Sequence, residues 1–310
     1  MTAATPDSTK PPVSVVICTR NREDKIASAV SSVLANDYPS FDLTIIDQST
    51  SDATRREVEA IAEGDSRLKY VHSQEAGLSR AYNTGIAATT GEILAFTDDD
   101  CIAGPEWIGR IVDAFAKNSD AELLYGEVVP LGTTDEDRGK TPMLEFDAPT
   151  RLSKRDGFRV VGMGANFAAR RVLFDRVGPF DNVLGGGGAL RSSQDFDMVY
   201  RTLHADGVVL LRPDVSIRHD GRRETEDWPS LLVAYGTGDG GFYTKHIRCR
   251  DSRAMWLFSK QFGTAVAKWL VKGVRGRKPM ERYFVRGMLI GARASFKFRV
   301  DRSARLYIEP

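Results

Sequence analysis

The 310-residue sequence predicts an α/β fold: a single mostly parallel, Rossmann-like sheet with flanking helices, followed by basic amphipathic helices. Three observations carry that prediction. Short apolar runs alternate with stretches of helical period from Val13 to Val129, and alternating β and α elements call for a parallel sheet with right-handed crossovers. The apolar run Ile93–Phe96 breaks abruptly into Thr97-Asp98-Asp99-Asp100, which sets three carboxylates at the carboxyl end of a strand, where open α/β sheets bind ligands. Charge is also divided. From Lys245 onward there are 17 Lys and Arg against 4 Asp and Glu, leaving 26 basic and 38 acidic residues in the rest. An acidic body with a basic tail points to two surfaces with different partners.

Val13–Thr19 is the first strand, followed by Arg20-Asn21-Arg22-Glu23-Asp24 and a helical pattern through Ile26, Val30, Val33 and Leu34. Asn21 is placed to cap that helix, with Asp24 completing a capping-box-like pair. Leu43–Ile46 is the second strand and leads through Asp47-Gln48-Ser49-Thr50-Ser51-Asp52 into a charged helix ending near Ala62. Leu68–Val71 is the third, followed by a helix from Leu78 to Ala88. After the fourth, Ile93–Phe96, a helix opens at Gly104-Pro105, because Pro suits the first helical position. Leu123–Val129 adds another strand. Residues 131–157 read as a long polar loop over the sheet, Phe158–Ala169 as extended, and Arg170–Val177 as a short helix. The run Gly185-Gly186-Gly187-Gly188 reads as a mobile stretch before a helix from Gln194 to His204. A strand at Val208–Leu211 precedes Ser216-Ile217-Arg218-His219-Asp220, and the remainder is helical and basic.

Hydrophobic content of 42% and charged content of 27% suit a soluble globular protein. Residues 1–12 lack the apolar core of a secretory signal and read as a flexible tail. No run of 18 apolar residues suggests a spanning helix. Cys18, Cys101 and Cys249 are odd in number and widely spaced, which fits a reducing, cytoplasmic setting and no zinc site.

Three carboxylates at one strand end repel each other by about 3 kcal/mol per close pair at an effective dielectric near 20. A hard divalent cation such as Mg²⁺ or Mn²⁺ removes that cost, taking oxygen ligands from carboxylates and substrate phosphates. The first βα turn, Cys18-Thr19-Arg20-Asn21-Arg22, has no G-x-G-x-x-G, and no Walker A lysine loop occurs. Metal plus carboxylate is therefore the expected phosphate-holding device. Trp107 and Cys101 read as packing residues.

Four segments in order make a pattern: Val15-Val16-Ile17-Cys18-Thr19-Arg20-Asn21-Arg22, Ile45-Ile46-Asp47-Gln48-Ser49-Thr50-Ser51-Asp52, Gly77-Leu78-Ser79-Arg80-Ala81-Tyr82-Asn83-Thr84-Gly85, and Phe96-Thr97-Asp98-Asp99-Asp100. From about residue 13 to 220 the chain resembles family 2 glycosyltransferases of the GT-A fold. The resemblance implies that Thr19, Asn21 and Asp47 hold the nucleotide base and ribose, and that Arg80 and Asn83 line the same pocket. It maps the D-x-D motif onto Asp98 and Asp100, with Asp99 between them. Asp100 becomes the metal ligand, and His219 an additional ligand for metal or phosphate. It also implies a general base at the start of a helix after the glycine run, which here is Asp195. Gln194 stands where the family commonly has Glu. Asp197, two residues on, faces elsewhere and can pair with Arg201 at i+4, and Arg218, Arg222 and Arg223 can contact phosphates.

What the resemblance implies is a metal-dependent enzyme that moves one sugar from a UDP-, GDP- or dTDP-linked donor to a glycan or lipid-linked acceptor, with inversion. A sugar nucleotidyltransferase would want a basic, glycine-rich first loop, and a degenerate member would bind nucleotide or carbohydrate without turnover. The expected organisation is a tail (1–12), a catalytic domain (13–225, its donor half ending near 130 and its acceptor half spanning 131–225) and a basic helical extension (226–310). The extension alternates Trp, Phe and aliphatic residues with Lys and Arg over 254–299. Such helices suit a peripheral membrane surface, or packing on the catalytic domain or a twin subunit. Nucleic-acid binding fits less well, because the charge is tied to apolar faces and no reader motif is present.

Overall fold

The computed structural model describes residues 10–62, 64–132, 134, 140–158 and 161–309. Most of the expected tail, residues 1–9, therefore lies outside the described residues. The described chain forms two compact units: the first takes the residues up to Ala76, Ala81–Pro179 and Val199–Arg222, the second Gly77–Arg80, Phe180–Met198 and Arg223–Pro310.

The first unit is built on one mixed sheet. Strands β1 (Val13–Thr19), β2 (Phe41–Asp47), β3 (Leu68–His72) and β4 (Ile93–Asp98) alternate with helices α1 (Glu23–Leu34), α2 (Ala53–Ala62) and α3 (Leu78–Ala88). After β4 come β5 (Cys101–Ala103), α4 (Trp107–Lys117), β6 (Ala121–Pro130), β7 (Thr150–Leu152), β8 (Asn166–Arg170), α5 (Val172–Val177), α6 (Gln194–His204) and β9 (Val208–His219); the first residues of α3, to Arg80, and of α6, to Met198, fall in the second unit. The strand order is β3-β2-β1-β4-β8-β6-β9-β5, with β7 also on β9. β1 pairs in parallel with β2 and β4, β2 with β3, and β6 with β9. β8 runs antiparallel between β4 and β6.

Because side chains alternate across a strand, Val15, Ile17, Leu43 and Ile45 face one side of the sheet. There they meet Ile26, Val30 and Val33 of α1, with Trp107, Ile111 and Phe115 of α4 in the same buried core. The other side carries an aromatic cluster: Phe96 and Phe167 stack at 4.4 Å, and Tyr82 meets both edge-on. Trp107 is buried as expected, and its indole N–H donates to Asn166 at 3.0 Å.

Several elements depart from the sequence expectation. Asn21 does not cap α1: it adopts φ 52°, and α1 begins at Glu23 with no side-chain cap. The loop expected over 131–157 contributes β7 to the sheet, and Leu144 bridges to Val128; residues 133 and 135–139 lie outside the described residues. Of the extended stretch Phe158–Ala169, only the end is a strand, and 159–160 are likewise outside. β9 continues unbroken to His219, and the unforeseen β5 pairs with its end. The glycine run is hydrogen-bonded where a mobile stretch was expected: the amides of Gly185 and Gly188 donate to Ser192 and Gly185, and Leu78 N–H donates to Gly186 O at 2.8 Å.

The second unit contains α7 (Trp228–Arg248), α8 (Ser252–Val274), α9 (Glu281–Ala294) and the hairpin β10 (Arg299–Asp301) and β11 (Leu306–Ile308). α7 carries Gly236, Gly238, Gly240 and Gly241 in its interior, at a propensity cost of about 1 kcal/mol each relative to Ala. Their use is close approach. A Cβ on Gly236 or Gly240 would fall well inside 3.0 Å of a backbone carbonyl oxygen on α9 (Phe284, Met288), and one on Gly287 or Gly291 would do the same on α7 (Val233, Thr237). Two G-x-x-x-G pairs thus form a reciprocal seam. Below it lies a buried ionic cluster. Lys245, with no exposed surface, places Nζ 2.8 Å from Asp181 and 2.6 Å from Asp197, and His246 reaches Asp197 at 2.9 Å.

Candidate active site

The parallel register sets Thr19 opposite Asp47 and Cys18 opposite Asp98, so β1, β2 and β4 end side by side. Two features occupy that edge in the first unit.

The first is a cleft of about 570 Å³ along the β1–α1 and β2–α2 turns, lined by Arg20, Ser49, Thr50, Tyr70, His72 and their neighbours. Asn21 ties its two turns together. Its side-chain oxygen accepts from Thr50 N–H at 2.9 Å, and its own N–H donates to Ser49 Oγ at 2.7 Å. A left-handed residue is needed there, which Asn tolerates. Asp47 is fully buried; Tyr70 OH donates to one of its oxygens and Ser49 N–H to the other at 2.8 Å. Burial and then the hydrogen bond to Asp47 hold the Tyr70 phenol well above its ordinary range, so Tyr70 stays a donor. Asn83 is half-buried on α3.

The second feature is the acidic cluster. Thr19 Oγ1 donates to Asp99 at 2.7 Å. Arg22 spans two carboxylates, with Nη1 2.7 Å from Asp99 and Nη2 2.6 Å from Asp100. Antiparallel pairing sets Cys101 of β5 opposite His219 of β9, and this brings His219 Nε2 to 3.3 Å from Asp100 Oδ1. Burial, then the charge of Asp100, pushes Asp98 up to about 7. Burial raises Asp99 to about 6 against the pull of Arg22 and Thr19. Burial acts the same way on Asp100, but His219 and Arg22 outweigh it and hold that carboxyl well below the usual range. His219 is disfavoured as a cation by burial, yet its contact with Asp100 leaves its pKa raised.

The donor set fits a divalent cation. Ligand atoms of Asp100, Cys101 and His219 lie within 4.8 Å of one another. Asp100 Oδ1 is buried without a hydrogen-bond partner. His219 Nδ1 lies 3.2 Å from the Pro142 carbonyl, which can only accept, so Nδ1 carries the proton and Nε2 faces Asp100. Metal-binding histidines are oriented in this way. Burial and the neighbouring carboxylates keep the Cys101 thiol protonated, leaving the carboxylate and imidazole as the ligands a hard cation would use.

Sequence reasoning passed over three contributors. Arg22 stood within the first motif but was given no role; its position three residues after the strand, opposite three acids, was the available signal. Tyr70 carried no signal beyond strand periodicity. Gly221 lies so close to the His219 ring that a Cβ there would fall well inside 3.0 Å of Nε2, an approach that no sequence pattern signals.

Arg80 and Asp195 belong to the second unit. Arg80 forms an ion pair with Glu309. Asp195 is half-buried in the first turn of α6 and accepts from Phe196 N–H at 2.9 Å. That turn is pinned from both sides. Ser193, at φ 70°, donates to the buried Asp239 at 2.7 Å, and Asp197 takes Lys245 and His246. Gln261 N–H completes Asp239 at 2.7 Å. Tyr235 is raised by burial, with the charges of Arg223 and Asp195 acting on it in opposite directions.

The sheet order, with the acid-bearing end of β4 at its carboxyl edge, is that of a GT-A-like α/β fold. Residues 14–178 match the model for "Glycosyl transferase family 2", and the chain belongs to that family. Glycosyltransferase AglE of Haloferax volcanii is 27% identical over 215 residues, covering 66% of this chain and 68% of the relative. The glucosyl-dolichyl phosphate glucuronosyltransferase of the same organism is 32% identical over 120 residues, and the match spans only 38% of its length. Among solved structures, the mannosyltransferase PcManGT from Pyrobaculum calidifontis, in complex with GDP-Man and Mn²⁺, shares the fold at a TM-score of 0.61 and 17% identity, covering 92% of this chain and 88% of that one. Among the described residues no helix is long and apolar enough to cross a membrane.

Proposed function

We propose that this glycosyltransferase moves a single sugar from a nucleotide-sugar to an acceptor hydroxyl on a glycan or lipid-linked glycan, with inversion. The observation that carries the proposal is the Asp100–His219 pair, a buried carboxylate oxygen without a hydrogen bond facing an imidazole nitrogen, at the strand end beside the β1–β2 cleft. The donor complex of the Pyrobaculum protein, GDP-Man with Mn²⁺, supports a nucleotide-sugar and a divalent cation as its natural occupants. Mg²⁺ or Mn²⁺ held by Asp100 and His219 would neutralise charge on the departing nucleoside diphosphate.

The chain's own residues supply the rest. Thr19, Asn21 and Asp47 serve base and ribose, Asn21 by tying the two turns of the cleft together and Asp47 by holding Tyr70, with Asn83 of the same unit as a further nucleotide contact. Asp98 and Asp99 orient the sugar and its phosphate, Asp99 being fixed by Thr19 and Arg22. Asp195 takes the acceptor proton, which requires an approach to about 2.6–3.2 Å. Its half-buried position and the two anchors of its turn suit a fixed base. The division we infer keeps catalysis within 13–225 and assigns 226–310 to support.

The test is nucleoside-diphosphate release from UDP-, GDP- and dTDP-sugars with Mn²⁺ or Mg²⁺, in wild type, Asp100→Ala and Asp195→Asn. Chelation and Asp100→Ala are expected to abolish turnover. Asp195→Asn should keep donor binding and lose about 10²–10⁴-fold in kcat. Nucleotide binding without release across the panel, with cell-extract acceptors and lipid present, would instead make the chain a non-catalytic binding protein.

A further inference from the structure

α8 is apolar on two sides but buried on one. Its inner side carries Ala254 and Ala265, both buried, and Gln261, which bonds Tyr243 and Asp239. On the opposite side Trp256, Gly263, Ala267, Leu270 and Val274 recur at spacings that keep them on one line of the helix. Trp256 and Leu270 are each 59% exposed and Val274 is 90% exposed. A surface helix ordinarily turns charge outward along such a line.

Charge runs beside this stripe. Arg253, Lys260, Lys268 and Arg275 follow one flank, and Arg277 and Lys278 come just past the helix end. No Asp or Glu occurs between Asp251 and Glu281. Lys260 lies over the Trp256 ring, 5.0 Å from its centroid, so stem and ring present one apolar surface with the ammonium at its rim.

We infer that the outer stripe of α8 docks on an anionic lipid surface, the helix lying in the headgroup plane with Trp256, Leu270 and Val274 inserted and the basic flank against acidic headgroups. Helices that are basic on one flank, apolar on the next and too polar to span lie in this way. Charge complementarity selects lipid over a second copy of the chain, since two such stripes brought together would oppose basic flanks with no acid to pair them. The inference goes beyond the transfer reaction and does not depend on it.

The experiment is co-sedimentation of the full chain with vesicles of phosphatidylcholine alone or with one-quarter phosphatidylglycerol, at 0.1 and 0.5 M NaCl. Binding to the anionic vesicles is expected, weakened at least tenfold by the higher salt, because each Lys or Arg near anionic lipid contributes about fivefold. Leu270→Glu/Val274→Glu, confined to exposed positions, should lose at least tenfold with an unchanged circular dichroism spectrum. Lys260→Glu/Lys268→Glu should weaken binding and reduce its salt dependence. No binding to anionic vesicles, or binding that both double variants retain, would overturn the inference. So would a wild-type dimer in light scattering that Leu270→Glu/Val274→Glu converts to monomer. None of these readouts involves donor or turnover.

Discussion

Replacing Lys245 with Met tests how the Asp195 turn is held. Lys245 has no exposed surface and sets its ammonium within ion-pair distance of the two buried carboxylates Asp181 and Asp197. Asp181 would keep the amides of Val183 and Tyr307, and Asp197 would keep His246, so both would stay buried with less counter-charge. Breaking a buried pair from one side costs about 3–5 kcal/mol, since the desolvation of the stranded charge is no longer offset. Met matches the lost stem in length, so most of that loss is electrostatic. Urea denaturation at pH 7.5 measures it, and adding Asp181→Asn to Lys245→Met should recover part. Because Asp197 sits two residues from Asp195 in the same turn, kcat should fall more than donor KM rises. A stability loss under 1 kcal/mol, or no recovery in the double variant, would refute the assignment of a structural role to the ion cluster.

Three further outcomes are expected. Asp239 is raised by burial from its ordinary 3.8 to about 6: it binds its proton more tightly folded, and the stability this gives is lost as pH rises from 3.8 to 6. His246 is lowered by burial from 6.5 to about 4, so the unfolded chain protonates first and stability is lost as pH falls from 6.5 to 4. Each amounts to about 3 kcal/mol and they oppose between pH 4 and 6. The wild type should therefore exceed His246→Gln by an amount that grows with pH, and Asp239→Asn by one that shrinks; parallel stability–pH curves would contradict both. Gly291→Ala should cost about 1–3 kcal/mol by overpacking the α7–α9 seam, measured by urea denaturation, and a change under 0.5 kcal/mol would show that the helices separate freely. Gly221→Ala should displace the His219 ring and weaken Mn²⁺ binding about tenfold or more, read by electron paramagnetic resonance of free Mn²⁺.

Much of the first unit was legible because its signals are local. The four parallel strands are short apolar runs, and Asp98–Asp100 stand where such a run stops. What escaped reading depends on pairing across distance. β5 is only Cys101–Ala103, too short for periodicity to register, and it exists because β9 offers it an edge. Gly221 acquires meaning only from the His219 ring that lies against it. Asn21 follows the capping rule in sequence, but Ser49 and Thr50 compete successfully for its backbone and side chain. In the second unit the glycines of α7 argue locally against a helix. They are helical because α9 comes close enough to repay the propensity cost.

That seam also has a consequence for register. Four glycines at i and i+4 on two helices act as paired notches, each seated on a carbonyl of its neighbour. Shifting the register of either helix by one residue turns its two notches about 100° away and brings side chains onto backbone where the glycines stood. The seam therefore favours the register in which each glycine faces a carbonyl of the neighbouring helix. A single-residue deletion within either helix should therefore be tolerated far less well than a deletion of equal size in the 275–280 connection.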